Sequence, residues 1–229
     1  MTSLRPSSLP PEARAGQTEM MEEKMDAMLD IAVRGCSGEV AGHVVVSEGV
    51  TAIDAGAFAR QKGLVSVELP STLVSIGEEA FIGCSSLERV VLPEGLTELG
   101  KRAFRNCTSL VSVSVPATLE VISDGAFSQC SRLEVVTGGA GVYGICPTAF
   151  AGCKKLRDCE PLRYALDIGE QAFNWCNNLE FSQFPEEMVY IGEYAFRHCT
   201  SLRDVKLPAS IDYLSENAFD GCENLLDNV

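Results

Sequence analysis

The stretch Ile76-Gly77-Glu78-Glu79-Ala80-Phe81-Ile82-Gly83-Cys84-Ser85-Ser86-Leu87-Glu88-Arg89-Val90-Val91-Leu92-Pro93 decides the fold, because its pattern recurs at a fixed interval. The Ala-Phe pair returns every 23 residues, without insertion or deletion across eight copies. Its phenylalanines are Phe58, Phe81, Phe104, Phe127, Phe150, Phe173, Phe196 and Phe219. A constant period of about 20 to 50 residues is typical of a solenoid.

Each copy repeats the same order of residue types around its phenylalanine. Ile or Leu stands five residues before it, and Leu always stands six residues after it. An alternating segment such as Val90-Val91-Leu92 follows, and in most copies a proline ends it because proline cannot donate to a strand ladder. The sequence therefore predicts an α/β repeat solenoid of about eight turns. Each turn holds one short parallel β-strand and a short helical or 3-10 return segment that carries Ala-Phe.

The N-terminal region is predicted to differ from the repeats. Residues 1–17 have the composition of a disordered tail. Residues 18–43 are predicted to form an amphipathic capping helix and a linker, and residues 44–229 the repeat solenoid. The apolar stripe of the helix would be Met21, Met25, Met28, Leu29 and Ala32. It would cover the first turn or offer an adaptable Met-rich surface to a partner.

The pattern Leu-x-x-Val-x-Leu-Pro-x-x-Leu-x-x-Ile-Gly-x-x-Ala-Phe-x-x-Cys resembles the BspA-like leucine-rich repeat, a class of 23 residues. The resemblance covers about residues 44–229 and implies a leucine-rich solenoid used for protein–protein contact. Such repeats occur in bacterial surface proteins and in intracellular eukaryotic proteins. The family offers no catalytic residues to transfer to this chain.

Composition limits the partners. The 229 residues carry a net charge of −14, which disfavours nucleic acids and anionic membranes. No run of residues approaches the length of a membrane span, and residues 1–17 lack the apolar core of a secretory signal. We therefore expect a cytoplasmic protein.

Seven of the ten cysteines share one repeat position, three residues after the phenylalanine. Three interpretations are open: disulfides between neighbouring turns, a metal site, and a buried ladder of free thiols that act as small apolar fillers. Free thiols are favoured because no export signal is present and a straight row of ligands does not converge. A metal or redox site at Cys146, Cys153 and Cys159 is the weaker alternative.

Aromatic side chains concentrate in the C-terminal half and are the predicted partner-binding residues. Their alternative role is to fill the margin of the core. The predicted residues are Tyr164, Trp175, Phe181, Tyr190, Tyr194, His198 and Tyr213. We expect Trp175 to lie beside His198, and Tyr190 to stack on Tyr213, because each pair shares a repeat position.

Two further features have alternative explanations. Glu170, Glu193 and Glu216 share one position, where helix dipoles would stabilise them or a cation or basic partner would relieve their repulsion. Residues 138–166 depart most from the pattern, which indicates a local distortion or a contact site.

The sequence favours a non-catalytic protein–protein interaction scaffold without cofactor or metal. The alternative is a cell-surface or adhesive repeat protein whose export signal is absent from this chain. A third class, an enzyme, finds little support, since His43 and His198 are the only histidines and Cys199 beside His198 should point inward. The last turn lacks a predicted cap, which indicates either an end-to-end homodimer through that turn or a chain that is a piece of a longer protein.

Overall fold

Short parallel strands provide nearly all the regular structure of the computed structural model, which describes residues 40–181 and 183–226. The predicted disordered tail and N-terminal helix lie outside these residues. The strands are β1 (Ala41–Val45), β2 (Ala52–Ile53), β3 (Gly63–Glu68), β4 (Ser75–Ile76), β5 (Arg89–Val91), β6 (Glu98–Leu99), β7 (Ser112–Val115), β8 (Val121–Ile122), β9 (Val135–Gly138), β10 (Gly144–Ile145), β11 (Asp158–Cys159), β12 (Asp167–Ile168), β13 (Tyr190–Ile191) and β14 (Tyr213–Leu214).

Each turn of the solenoid contributes strands to separate sheets. The first sheet has the order β1-β3-β5-β7-β9-β11. The two-residue strands form the other sheets, β2-β4-β6 and β8-β10-β12-β13-β14. Almost every pair joins residues 23 apart, as in Val90 with Val113 and Ile145 with Ile168. The predicted solenoid of about eight parallel turns is therefore confirmed.

The phenylalanine row forms the centre of the core. Adjacent rings from Phe58 to Phe219 stack with centroids 4.9–5.5 Å apart. The rings from Phe58 to Phe196 are fully buried, and the Leu and Ile rows pack around them. One turn alone could not bury these side chains, so stacking of the turns supplies the hydrophobic stabilisation.

The predicted helical return segments are wrong. The segment around Phe58 is a series of tight turns, in which the N–H groups of Ala57, Ala59 and Gln61 each bond to a carbonyl three residues earlier. The intervening N–H groups of Phe58 and Arg60 donate instead to Ala80 and Ile82 of the next turn. Because every second N–H bonds along the solenoid axis, a continuous series of helical bonds cannot form.

Left-handed backbone makes this alternation possible. In the seven turns from Phe58 to Phe196, the residues two before and two after the phenylalanine have positive φ, as in Arg102 (φ 55°) and Asn106 (φ 60°) around Phe104. Several of these positions hold large side chains, including Trp175 and His198. An L-residue in this region costs about 1–2 kcal/mol, so the stacked turns must compensate for that cost.

The cysteine row is buried, as the thiol-ladder interpretation requires. Each thiol donates to the carbonyl oxygen of the phenylalanine in the preceding turn, at 3.0–3.2 Å. The same carbonyl accepts the N–H of the cysteine in its own turn, as Phe81 does from Cys84. Cysteine suits the position because it is a small apolar side chain with a weak donor.

The buried thiols of this row should react slowly with alkylating reagents. Burial raises the pKa of Cys130 and of Cys199, and it raises the pKa of Cys222 in the last turn to about 11. At pH 8 we expect iodoacetamide to modify Cys222 about a hundredfold more slowly than an ordinary thiol, because only the thiolate reacts. The fully buried thiols should not react while the protein is folded.

Peptide mapping by mass spectrometry would measure the reaction at each cysteine. The half-buried Cys146, outside the row, should be modified ahead of Cys130 and Cys199. In about 8 M urea, which unfolds most domains, the cysteines should all react at similar rates. Rapid modification of Cys130 in the folded protein would contradict the buried ladder.

The first sheet ends where the sequence departs from the repeat. After β11 the chain enters a 3-10 helix at Glu160–Arg163, with Pro161 in its first turn. Beyond it, only an isolated bridge between Gln183 and Lys206 continues the pairing among the described residues. Residues 205–207, which correspond to Val90-Val91-Leu92, therefore form only that bridge instead of a strand. The 3-10 helix is a local distortion within residues 138–166, as the sequence predicts.

Glu160 repairs one bond that this distortion breaks. In regular turns the N–H eleven residues after the phenylalanine donates to a backbone carbonyl of the next turn, as Leu92 does to Ser114 at 3.1 Å. The equivalent N–H of Gly138 donates to Glu160 Oε2 at 2.7 Å. The carboxylate thus replaces the main-chain oxygen that the 3-10 helix turns away.

We expect Glu160→Ala to lower the free energy of unfolding by about 1–2 kcal/mol, since it leaves the Gly138 N–H without its acceptor. Glu160→Gln retains an acceptor oxygen and should cost less. Urea denaturation of the purified variants measures both effects. The matched control is Glu134→Ala, which should stay within about 0.5 kcal/mol of the wild type. Equal effects of the three substitutions would contradict the role of the Glu160 side chain.

No helix among the described residues is long and apolar enough to span a membrane.

Candidate protein-binding surface

The structure distributes the predicted aromatic residues over several places instead of one patch. Trp175 and His198 lie two residues after their phenylalanines, in the segments of tight turns. We call this the turn side of the solenoid. Tyr190 and Tyr213 lie in the strands β13 and β14. The single contact patch suggested by the sequence therefore divides into separate groups.

Trp175 and His198 form one pair, as expected from their shared repeat position. Their ring centroids are 4.0 Å apart with an interplanar angle of 32°. The imidazole in turn lies over Gly221, where any Cβ would collide with the ring. Trp175 is 46% exposed, so its outer face is open to solvent.

Tyr194 lies two residues before Phe196, on the opposite side of that phenylalanine from His198. The guanidinium carbon of Arg197 lies 5.0 Å from the centre of its ring. Arg197 Nε also lies 3.3 Å from a carboxylate oxygen of Asp220. The arginine is thus held between an aromatic face and an acid, which is a favourable setting for a guanidinium group.

Phe181 contributes less to the surface than its position predicted. Its ring lies 4.7 Å from Phe184, and Phe184 in turn contacts Phe196 of the central stack at 5.7 Å. Phe181 is half-buried and packs against the core. Its main role in the structure is to fill the space beside Phe184.

Exposed and half-buried tyrosines and aliphatic side chains lie in and beside strands β10 to β14, and we term them the tyrosine face. Tyr190 and Tyr213 stack there with centroids 5.0 Å apart. The turns beside them hold further exposed or half-buried side chains, at a position seven residues before the phenylalanine. The residues of the tyrosine face are Tyr143, Tyr164, Leu166, Val189, Tyr190 and Tyr213.

Backbone hydrogen bonds hold this face in register. The Leu166 N–H donates to the Tyr143 carbonyl at 2.8 Å, and the Val189 N–H donates to the Leu166 carbonyl at 2.9 Å. Tyr190 pairs with Tyr213 in the same ladder. The side chains of the face therefore project from successive rungs, which fixes their spacing before any partner binds.

Sequence reasoning missed Tyr143, Leu166 and Val189. A comparison of residues seven before each phenylalanine would have indicated them, because three successive turns are apolar there. Three of the four earlier turns have Thr51, Thr97 and Glu120 at this position, and the fourth has Val74. Val189 is 39% exposed and Tyr143 is 47% exposed. Exposed side chains of this kind, next to one another, are typical of interaction surfaces.

Carboxylates lie within and beside the tyrosine face. Asp167 pairs in register with Tyr190, and Asp212 follows Val189 in the next rung. Burial raises the pKa of Asp167 above its ordinary value. A neighbouring cation would oppose this shift, because an opposite charge favours the ionised carboxylate.

Glu170, Glu193 and Glu216 share one repeat position in successive turns, three residues before the phenylalanine, and all three are exposed. The helix-dipole explanation for this column is wrong, because the segments that follow are turns. Amide donors are present instead: Gln171 Nε2 bonds Glu170 at 2.9 Å, and Asn217 Nδ2 bonds Glu193 at 3.0 Å. Within the described residues, no ion pair involves the three glutamates.

The candidates for chemistry are separated in the structure. Cys199 is buried and donates to the Phe173 carbonyl, while His198 contacts Trp175 on the outside. Cys153 is likewise buried in the row, whereas Cys146 is half-buried outside it. Over residues 40–181 and 183–226, no group of three or more His, Cys, Asp or Glu side chains could hold a metal ion.

His43 makes polar contacts on the first sheet. Its Nδ1 lies 2.6 Å from Ser66 Oγ, and its Nε2 lies 3.4 Å from Glu68. The His43 and Glu68 side chains are 49% and 68% exposed. Solvent screens a pair this exposed, so the three residues form a cross-strand contact and not an enclosed reactive site.

Comparisons with known proteins agree with this architecture. A family model described as BspA type leucine rich repeat region matches residues 38–157 and 166–228 in six copies. Among curated protein sequences, none matches the chain. The crystal structure of the T. pallidum leucine rich repeat protein is similar, with 27% identity and a TM-score of 0.61, over 84% of this chain and 81% of that one.

Two further crystal structures share the fold. A leucine-rich repeat protein from Eubacterium ventriosum is 21% identical, with a TM-score of 0.69 over 82% of this chain and 50% of that one. A leucine rich cell surface protein from Faecalibacterium prausnitzii is 24% identical, with a TM-score of 0.52 over 82% and 59%. The chain thus matches little more than half the length of these two proteins.

Proposed function

Because the chain belongs to the BspA-type leucine-rich repeat family, we propose that it is a non-catalytic scaffold that binds another protein through its tyrosine face. Membership in this family suggests a protein-interaction or adhesion role. The observation that supports the proposal is the exposure of Tyr190 and Tyr213, which stack on adjacent strands at the C-terminal end of the face. The net charge of −14 disfavours a nucleic acid as the partner.

Energetic reasons also favour this face. A tyrosine supplies a large contact area and loses little conformational entropy, because it has only two side-chain torsions. Stacking already restricts Tyr190 and Tyr213, so binding has less order to impose on them. Trp175 and His198 form a second pair, and Tyr194 lies separately beside Arg197. We propose both places as the edge of the same contact.

The test is to isolate the partner from native cell extract and then measure its direct affinity as a purified protein. We expect the double variant Tyr190→Ala and Tyr213→Ala to weaken binding at least tenfold, as loss of about 2 kcal/mol at an interface anchor requires. The matched control is Val45→Ala with Val91→Ala, which removes equally exposed apolar groups from the first sheet.

Wild-type affinity in the tyrosine variant, or an equal loss in the valine control, would reject the tyrosine face. Circular dichroism and thermal unfolding of both variants must match the wild type. A triple variant, Trp175→Ala, Phe181→Ala and Tyr190→Ala, tests the aromatic set expected from the sequence. The half-buried Phe181 should make this variant less stable, so it is interpreted only beside the double variant.

We place this interaction in the cytoplasm, because the buried thiol row suits a reducing compartment. A surface or adhesive role is the alternative. Protease treatment of intact cells distinguishes the two, since an adhesive protein would be cleaved and a cytoplasmic one protected.

A second copy of the chain is a further proposed partner, by end-to-end contact through the last turn. In all earlier turns the phenylalanine N–H donates to the next turn, as Phe196 does to Ala218. The N–H groups of Phe219 and Gly221 have no following turn within the described residues. Light scattering over a range of concentrations tests the dimer, and a constant monomer mass would reject it.

A further inference from the structure

The C-terminal turns that carry the tyrosine face are acidic. Between Arg163 and Leu226 the chain carries eleven acidic and four basic side chains. Asp167 lies in the same strand ladder as Tyr190 and Tyr213. Glu193 follows Tyr190 by three residues, at the corner of the same turn. The apolar contacts offered by this face are therefore surrounded by negative charge.

Earlier turns balance their charges more evenly, with thirteen acidic and ten basic side chains over residues 40–162. Arg102 Nη1 there lies 3.4 Å from Glu79 of the preceding turn. Asp167, Glu170 and Glu193 form no ion pair among the described residues. Their negative potential remains uncompensated by neighbouring cations.

The protein itself shows how this region accommodates a cation. Arg197 lies over the ring of Tyr194 and beside the carboxylate of Asp220, in the turn next to the tyrosine face. A guanidinium group gains from both contacts at once, because the ring face and the carboxylate are both negative. Tyr190 beside Asp167 presents the same two chemical groups without an arginine.

We propose that the tyrosine face binds an extended basic segment of the partner protein, with its arginine or lysine side chains between the tyrosines and the carboxylates. This inference rests on the proposed scaffold function and specifies the chemistry of its partner. The aliphatic stems of such side chains pack on the rings while their charges reach the acids. Asp167 and Glu193 are the carboxylates assigned to this contact.

Spacing along the solenoid favours a segment that runs parallel to its axis. Successive rungs are about 4.8 Å apart, so every second rung lies about 9.6 Å away. A polyproline II segment advances about 9.3 Å in three residues, and it leaves its backbone unpaired. Basic side chains at every third residue would therefore meet every second rung. Asp167 and Glu193 lie on adjacent rungs, so one long basic side chain of the segment can reach both carboxylates.

The probe is the fluorescein-labelled peptide (Pro-Pro-Arg)4, and its binding is followed by fluorescence anisotropy. The variant Asp167→Asn with Glu193→Gln removes two charges from the face. The control Glu98→Gln with Glu78→Gln removes two charges from the same repeat positions in earlier turns. We expect about a tenfold loss of affinity in the first variant and less than a twofold loss in the control.

The peptide (Pro-Pro-Glu)4 should not bind, and added salt should weaken the arginine peptide because exposed charges are screened. Equal losses in the two charge variants would show diffuse attraction by the net charge and overturn the inference. Absence of binding to the arginine peptide would also overturn it. The scaffold proposal fails separately, if Tyr190→Ala with Tyr213→Ala leaves the affinity for the natural partner unchanged.

Discussion

Replacement of Phe104 by alanine should lower the free energy of unfolding by about 3–5 kcal/mol, which is among the largest losses that a single substitution causes. The ring is fully buried and stacks on Phe81 at 4.9 Å and on Phe127 at 5.5 Å. Its removal leaves a cavity in the middle of the continuous stack and eliminates two aromatic contacts. Urea denaturation followed by circular dichroism measures the loss.

The matched control is Phe219→Ala in the last repeat. Phe219 is only partly buried and stacks on one ring of the series, that of Phe196 at 5.2 Å. We expect its loss to be about half that of Phe104→Ala, since fewer atoms lose contact. A loss at Phe104 no greater than at Phe219 would show that the stack is not the main source of stability.

The second large effect is expected for Gly138→Ala, with a loss of about 2–4 kcal/mol from backbone strain and overpacking combined. Gly138 has φ 79° and ends strand β9, paired with Val115. A Cβ at this position would fall well inside contact distance of the Val115 carbonyl oxygen. The strand would have to move away from β7, which would weaken the bond from Gly138 to Glu160.

Gly56→Ala separates the two causes of this loss. Gly56 also has a positive φ, of 67°, but no atom lies within 4 Å of a Cβ built there. Only the backbone strain of about 1 kcal/mol should remain. Thermal unfolding of both variants would provide the comparison, and equal losses would show that the close approach to Val115 has no energetic consequence.

The fixed repeat length made the fold predictable from sequence. Because Phe81 and Phe104 are separated by the same interval as every other pair, the stacked core and the buried cysteine row follow without knowledge of any single turn. The return segments were less predictable. The pattern of Ala-Phe with polar neighbours suits a short helix, but hydrogen bonds between turns compete for every second N–H and prevent it.

Prediction of the candidate surface was incomplete for a different reason. Repeat position correctly placed Trp175 beside His198 and Tyr190 on Tyr213, since those pairs share a row. It did not show that Phe181 would turn toward Phe184, because the first sheet is interrupted at that point. Exposure of Tyr143 and Val189 depends on how the chain bends around each turn, which a linear pattern does not specify.

The alternation of hydrogen bonds within and between turns has a mechanical consequence. Bonds such as Phe58 to Ala80 run along the long axis, so force applied to the two ends loads them in tension. Among the described turns, a repeat with a neighbour on one side only should detach first. Its release adds 23 residues, or roughly 80 Å of extended chain at about 3.5 Å per residue. Under force the molecule would therefore lengthen in a series of near-equal steps, as one repeat after another unfolds.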